Sequence, residues 1–321
     1  MSELVHGGSA SPSPEGAAGL EAAMSALARA LGDAAAQARG ALDIAEPVQA
    51  VHDVRKAFKR LRALLRLVRH AGGREERAAA RVLGRALGTG AGRLSVTRDA
   101  AARRAALDDL VEQELIAPAV RGAAGRALAP RAADGQEAGL GRHREELSAL
   151  IEACAAGARD LAGALGPRRV LDAMTVEYAR ARRLGGKVDA ADPESLHALR
   201  KAVVAHRYQM ELAGEAWPAL GAFWVNELQK LRDRLGTHHD HAVLLHDLLA
   251  LPPRRASRAE IRETQPATQP AWRAALAASI ETRQAKLVRT AMRQHARLFA
   301  ETPKAFRRRL AAYFDPVQDR E

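Results

Sequence analysis

One pattern of residues occurs twice along the 321-residue chain and limits the folds that it can adopt. A proline is followed four or five residues later by a His-x-x-Arg-Lys motif, first over residues 47–56 and again over residues 193–201. A second pair of similar blocks, 93–99 and 234–240, follows in the same order, so that the offset is 145 residues for the motifs and 141 for the later blocks. Two matched pairs in one order indicate a duplication, and the sequence therefore predicts two similar halves.

Both halves are expected to be helical throughout. Strong helix formers (Ala, Leu, Arg and Glu) dominate between breaks rich in Pro and Gly, and no segment shows the alternating pattern of a strand. Helices of ordinary length with short connections are typical of antiparallel bundles, so we predict an all-α fold. The predicted helices span residues 20–39, 47–71, 75–87, 98–116, 140–165, 168–184, 193–214, 218–235, 238–249, 271–299 and 303–314.

Composition also predicts how the chain is divided. Residues 1–18 are rich in Ser, Pro, Gly and Ala, and we expect them to be disordered and to contain no signal peptide. Residues 19–316 should form one domain, with a first half at 19–117, a loop at 118–139 and a second half at 140–316 that includes a linker at 252–270. A single cysteine, Cys154, and the lack of a membrane-spanning apolar run favour a cytoplasmic protein.

The charge of the chain narrows the class of partner. The chain has 50 Lys and Arg residues against 38 Asp and Glu, and its formal charge of +12 indicates a polyanionic binding partner. Only 3% of the residues are aromatic, which argues against single-stranded nucleic acid, because its bases stack on aromatic rings. Other nucleic acid, a phosphate polymer, an anionic membrane and a basic surface without a ligand all stay open at this point.

The first His-x-x-Arg-Lys helix has a basic side without acids. At about 100° per residue, six cations and the leading histidine share one side, while the apolar residues from Val54 to Val68 share the other. Asp53 is the only acid between Val51 and Gly73, although like charges one turn apart repel each other. The uncompensated stripe predicts an anionic ligand. Its members are His52, Arg55, Lys56, Lys59, Arg62, Arg66 and Arg69.

The equivalent stripe of the second copy is weaker. Val204 and Glu211 interrupt it, so we expect the first half to contribute more of the affinity for an anion. His206 falls on the apolar side and is expected to be a hydrogen-bonded core residue, whereas Tyr208 should face the basic side. The cations that stay on this stripe are Arg200, Lys201 and Arg207.

The run from His238 to His241 raises a different possibility, a metal-dependent phosphohydrolase. Such a site needs further ligands from other helices, and neighbouring histidines on one helix face about 100° apart. The sequence also contains no Gly-rich phosphate loop and no nucleophile motif. We therefore expect no metal, no cofactor and no catalysis.

With both motif helices and both later blocks present, residues 20–314 resemble the CHAD domain, the conserved histidine α-helical domain. The resemblance implies two helical bundles related by pseudo-twofold symmetry, which form one compact unit with a basic central groove. It also implies non-catalytic binding of inorganic polyphosphate, at polyphosphate granules and not at a membrane. A general polyanion binder, for nucleic acid or an acidic protein, is the alternative. The implied contacts are His52, Arg55, Lys56, Lys59, Arg62, Arg66, Arg98, His197, Arg200, Lys201, Arg207, Lys230, Arg234 and His239.

Overall fold

The structure is a computed structural model that describes residues 14–94, 96–129, 140–163, 165–190, 192–214, 216–252 and 271–314. These residues form eleven α-helices and no strand, which confirms the predicted all-α class. The helices are α1 (Pro14–Leu42), α2 (Pro47–Ala71), α3 (Arg74–Arg93), α4 (Val96–Glu112), α5 (Pro118–Ala127), α6 (Leu140–Gly163), α7 (Pro167–Gly185), α8 (Pro193–Ala213), α9 (Pro218–Ala250), α10 (Ala271–Leu298) and α11 (Pro303–Phe314).

The two helices that carry the repeated motif begin in the same way. Pro47 and Pro193 are their first residues, a position where the missing amide proton of proline removes no hydrogen bond. Glu46 and Asp192 precede them, and each carboxylate accepts hydrogen bonds from the first free amides of its helix. The predicted span 47–71 is confirmed, and the predicted span 193–214 ends one residue too late.

The apolar side predicted for α2 forms its core face. Val54, Phe58, Leu61, Leu64 and Val68 are all buried. Burial of a side chain of this size contributes roughly 1.5–3 kcal/mol, so these residues fix which side of α2 faces inward. The histidine and the cations of the motif are held on the other side as a result.

Packing arranges eight of the helices in two rings of four. α1 and α3 each pack on both α2 and α6, which closes the first ring. α8 packs on α7 and α9, and α10 packs on α9 and α7, which closes the second. α2 belongs to the first ring and also packs on α7 and α8 of the second. Buried side chains from both rings form one continuous core. A smaller core joins α4 and α5 to the ends of α9 and α10.

This packing differs from the predicted division at residues 118–139. Residues 140–163 were assigned to the second half, but α6 packs on α1, α2 and α3, where a Cβ on the buried Gly90 would lie 3.1 Å from the side chain of Leu147. α4, assigned to the first half, packs instead on α5, α9 and α10. The sequence shows only that connections are short, and it does not show which ring a helix joins.

Several helix bounds also differ from the predictions, chiefly because glycine is tolerated inside a packed helix. The spans 218–235 and 238–249 form one helix, α9, in which the buried Gly236 lies against the guanidinium of Arg200. α3 runs past Leu87 to Arg93, and a Cβ on its buried Gly90 would lie only 3.1–3.3 Å from side chains of α2 and α6. Residues 118–127 of the predicted loop form α5.

The ends of the chain give one further correction. α1 begins at Pro14, so residues 14–18 are helical rather than disordered. Residues 1–13, residues 130–139 of the predicted loop and residues 253–270 of the predicted linker lie outside the described residues.

Candidate anion-binding cleft

A cleft of about 720 Å³ lies between α2, α8 and α9. It is called here the central cleft. α2 contributes one wall and α8 and α9 the others, with Ala101 of α4 at one edge. Its lining comprises Val48, Val51, His52, Arg55, Lys56, Lys59, Ala101, Arg200, Val204, Arg207, Tyr208, Gln229, Arg232, Asp233, Gly236, Thr237 and Asp240.

The lining of the central cleft is strongly basic. Six of its residues are Arg or Lys and one more is His52, whereas its only carboxylates are Asp233 and Asp240. Like charges held around a concave surface produce a positive potential that attracts and retains anions. The permanent cations are Arg55, Lys56, Lys59, Arg200, Arg207 and Arg232.

Two of these arginines lie against equivalent positions of the helices that follow their own. Nη1 of Arg55 donates a hydrogen bond to the carbonyl oxygen of Ala91 in α3. The guanidinium of Arg200 lies against Gly236 in α9, where its Nε would be 3.5 Å from an added Cβ. Arg55 and Arg200 are 145 residues apart, and so are Ala91 and Gly236. The duplicated motif therefore places each arginine against the helix that follows its own.

Two further residues of α8, Tyr208 and Val204, also line the cleft. Tyr208 is buried and lines it as predicted, and the guanidinium of Arg207 lies 4.9 Å from the centre of its ring. Burial raises the pKa of the Tyr208 phenol, so this group is a neutral hydrogen-bond donor at physiological pH. Val204 supplies apolar lining at the position that corresponds to Lys59.

Glu211 fastens α8 to α2 rather than lying as a free carboxylate on the basic stripe. Its Oε1 lies 3.2 Å from Nη1 of Arg207, and its Oε2 lies 3.3 Å from Nε of Arg60. Burial raises the pKa of Glu211, and the nearby Arg60 and Arg207 oppose that rise. Arg60 also donates a hydrogen bond of 3.2 Å to Gln37 of α1.

Two predicted contacts of α2, Arg62 and Arg66, lie beyond the central cleft. One edge of the Arg66 guanidinium donates two hydrogen bonds to the carboxylate of Glu177 in α7, with Nε–Oε2 at 2.7 Å and Nη2–Oε1 at 2.6 Å. His70 shares Oε1 of that carboxylate at 2.8 Å. Arg62 is exposed, and its guanidinium carbon would lie 3.5 Å from a Cβ added to Gly88 of α3.

The remaining predicted contacts of the second half also fall outside the lining. His197 and His239 stack on each other, with ring centres 4.7 Å apart. Burial and then the charge of Lys201 lower the pKa of His197, so its ring is neutral at physiological pH. Lys230 pairs with Glu227 of its own helix at 2.6 Å. Lys201 is exposed, and Arg234 donates a hydrogen bond to Gln294 of α10.

The last predicted contact, Arg98, belongs to α4, but its side chain lies outside the described residues.

Sequence reasoning missed the face that α9 turns to the cleft. Gln229, Arg232, Asp233, Gly236 and Asp240 recur at helical spacings of three and four residues. This helical spacing is visible in the sequence, but it runs across residues 235–238, where two separate helices were predicted. Reading α9 as one helix would have revealed it.

The histidines of the 238–241 run face different neighbours. His238 is buried, and burial lowers its pKa to about 4. His239 stacks on His197, whereas Nε2 of His241 lies 2.7 Å from Oδ2 of Asp109 in α4. Arg283 of α10 also donates to that carboxylate, so His241 takes part in joining α4 to α9 and α10. Within the described ranges no three His, Cys, Asp or Glu side chains converge as a metal site would require.

Comparison with known proteins gives one match. A family model described as the CHAD domain matches residues 25–250, more than two thirds of the chain, from within α1 to the end of α9. A search of curated proteins returned no match. In the part of the chain that the structure describes, no helix has the length and apolar character needed to cross a membrane. The match takes in both His-x-x-Arg-Lys helices and the central cleft, and on this evidence the chain belongs to the CHAD-domain family.

Proposed function

We propose that this protein binds inorganic polyphosphate in the central cleft and does not catalyse a reaction there. The observation that carries the proposal is the charge of the cleft, where six Arg and Lys side chains from three helices face two carboxylates. One of those carboxylates, Asp233, already accepts hydrogen bonds from Arg232 at 2.7 Å and from Gln229 at 2.9 Å. This pair uses one of the six cations, and six positive against two negative side chains still leave the lining a formal surplus of four positive charges.

The character of the lining favours a polymer that consists only of a charged backbone. Tyr208 is the one aromatic residue among those that line the cleft, and Arg207 lies over its ring. Proteins that hold single-stranded nucleic acid offer exposed aromatic faces to the bases. Arginine forks and lysine ammonium groups match phosphate oxygens without any such platform.

A test of the site reverses charge at two lysines that line the cleft. Lys56→Glu with Lys59→Glu suits this purpose better than a change at Arg55, because Arg55 also bonds to α3. The double variant should lose at least about 100-fold in affinity for polyphosphate, since each lost charge-assisted contact contributes roughly 1.5–3 kcal/mol. Fluorescence anisotropy with labelled polyphosphate measures this, and circular dichroism confirms that the variant is helical.

The matched control reverses two exposed arginines of α10 that lie outside the cleft, Arg289→Glu with Arg293→Glu. It changes the net charge by the same amount, and its affinity should stay within a few-fold of the unmodified protein. Equal losses in the two double variants would show that net charge alone attracts the polymer, and the cleft would then not be the site.

The salt dependence of binding gives a second measurement. If all six cations of the cleft contact phosphates, the logarithm of the association constant should fall with the logarithm of salt concentration with a slope of roughly 4, by analogy with flexible nucleic acids. Competition with DNA and RNA at matched charge tests the alternative, because a general polyanion binder would release polyphosphate to each of them equally. Release of orthophosphate during the same incubation would contradict the non-catalytic role.

The proposal extends to symmetry and location. We propose that the two rings of helices are related by a pseudo-twofold axis near the crossing of α2 and α8, with a basic groove along that axis. The common 145-residue offset of Arg55 with Arg200 and of Ala91 with Gly236 supports this relation. We also propose that the protein resides in the cytoplasm at polyphosphate granules, which a fluorescent fusion compared with the Lys56→Glu and Lys59→Glu variant would test.

A further inference from the structure

A second group of arginines gathers at the far end of α2, outside the central cleft. Arg62, Arg66 and Arg69 lie there on the same side of the helix as the cations of the cleft, and Arg180 of α7 lies about one helical turn from Glu177, the carboxylate that Arg66 contacts. Arg62, Arg66, Arg69 and Arg180, with their neighbours Arg81 of α3 and Arg183 of α7, are called here the arginine patch.

The only carboxylate that the patch holds in an ion pair within the described residues is already saturated. Glu177 is 1% exposed, and its two oxygens accept hydrogen bonds from Nε and Nη2 of Arg66 and contact Nε2 of His70. In the part of the chain that is described, neither Arg69 nor Arg180 has a carboxylate within ion-pair distance, and the buried Nε of Arg69 has no hydrogen-bond partner. A buried donor without a partner is unfavourable, and more so if it is charged.

The pKa shifts of arginines in the patch indicate that their positive charges repel one another. Burial and then the positive charge of Arg66 lower the pKa values of Arg69 and Arg180, and the negative charge of Glu177 opposes part of this shift. Arg81 adds to the lowering at Arg69, and Arg183 adds to it at Arg180. The guanidinium groups therefore repel one another, and an anion bound among them would relieve that repulsion.

We infer that the arginine patch is a second phosphate-binding site, and that one polymer chain of sufficient length occupies the central cleft and the patch together. This inference rests on the proposed function. Lys56 and Arg69 are thirteen residues apart on α2, which is roughly 20 Å along the helix axis. Arg62 lies between them on the same side of α2, so the path from cleft to patch is basic throughout. A triphosphate is too short to bridge this distance, whereas a long chain reaches both sites.

Binding to two linked sites makes affinity depend on chain length. Once a polymer is held in the cleft, its free end is confined near the patch at a high effective concentration. A long chain should therefore bind more tightly than triphosphate by a factor that disappears when the patch is neutralised. The affinity for triphosphate, which occupies the cleft alone, should not change.

The test compares triphosphate with long-chain polyphosphate on the full-length protein. Arg69→Gln with Arg180→Gln should weaken long-chain binding by about tenfold or more and leave triphosphate binding within about twofold, because the lost contacts are charge-assisted. Arg289→Gln with Arg293→Gln on α10 is the matched control and should alter neither affinity by more than about twofold. Isothermal titration gives both constants.

The outcomes separate this inference from the proposed function. If the patch variant binds long chains as tightly as the α10 control does, the patch is not a site, and the proposed function stands. If triphosphate binding falls as much as long-chain binding, the patch and cleft are not separate sites. If the unmodified protein binds neither probe, the proposed function itself fails. Should Arg69→Gln disturb the fold, the exposed pair Arg81→Gln with Arg183→Gln repeats the test and must show the same selective loss.

Discussion

Replacing Glu177 by glutamine should both destabilise the protein and change how its stability responds to acid. Burial alone would raise the pKa of this carboxyl, but hydrogen bonds from His70 and Arg66 outweigh it and lower the pKa from 4.5 to about 2. A pKa difference of that size between the folded and the unfolded chain corresponds to roughly 3 kcal/mol of folding free energy at neutral pH. Arg66 and His70 are 25% and 33% exposed, so solvent screening reduces the expected loss to about 2–3 kcal/mol.

The sign of the pH dependence follows from the lowered pKa. The carboxylate contributes fully above about pH 4.5, where the unfolded chain is also ionised, and the contribution disappears as the pH falls towards 2. The difference in free energy of unfolding between the unmodified protein and Glu177→Gln should therefore be largest near pH 7 and shrink between pH 5 and pH 3. Urea denaturation followed by circular dichroism at several pH values measures it.

A matched control is Glu146→Gln, which removes an exposed carboxylate that pairs with Arg93 at the surface. Surface pairs contribute little to stability, so this variant should unfold almost as the unmodified protein does. A Glu177→Gln variant as stable as this control at pH 7, or equally destabilised at pH 7 and pH 3, would refute the reasoning. Removal of the carboxylate also frees Arg66, so the same variant should bind long-chain polyphosphate more tightly despite its lower stability.

Two further substitutions test the packing. The free energy of unfolding of Gly185→Ala should be lower by about 3 kcal/mol, as measured by thermal unfolding, because the added Cβ would lie 2.0 Å from the buried ring of His295. The control Gly32→Ala, whose Cβ would have nothing within 4 Å, should be neutral or slightly stabilised. His206→Leu should be at least as stable as the unmodified protein at pH 7, because neither ring nitrogen of His206 has a hydrogen-bond partner and burial lowers its pKa to about 4. Since that folded-state pKa lies below the unfolded value of 6.5, the unmodified protein loses stability from this group between pH 6.5 and 4, and urea denaturation should show that the leucine variant lacks this loss.

Features that depend on one helix could be predicted from the sequence. The start of α2 at Pro47, its buried face and the outward position of Lys56 and Lys59 all follow from a proline and a helical period. The core position of His206 also follows from that period, although its predicted hydrogen bond is absent. Which helices meet is a different kind of information, and it decides most of what was not foreseen.

Glu211 and Arg66 illustrate the difference. They occupy equivalent positions of the two motif helices, and the sequence suggests only that one is acidic and the other basic. In the structure Glu211 joins α8 to Arg60 of α2, while Arg66 reaches Glu177 of α7. Both partners are far away in the chain, so no local pattern could have identified them. The same holds for Arg232, whose place in the cleft depends on α9 continuing through Gly236.

The most direct test of the central claim is a crystal of the protein soaked with medium-chain polyphosphate. The account predicts a row of phosphate groups between α2 and α8, within hydrogen-bond distance of Lys56, Lys59 and Arg207, with longer chains continuing towards Arg62 and Arg69. Phosphate groups bound elsewhere on the surface, with the central cleft empty at saturating polymer, would contradict it.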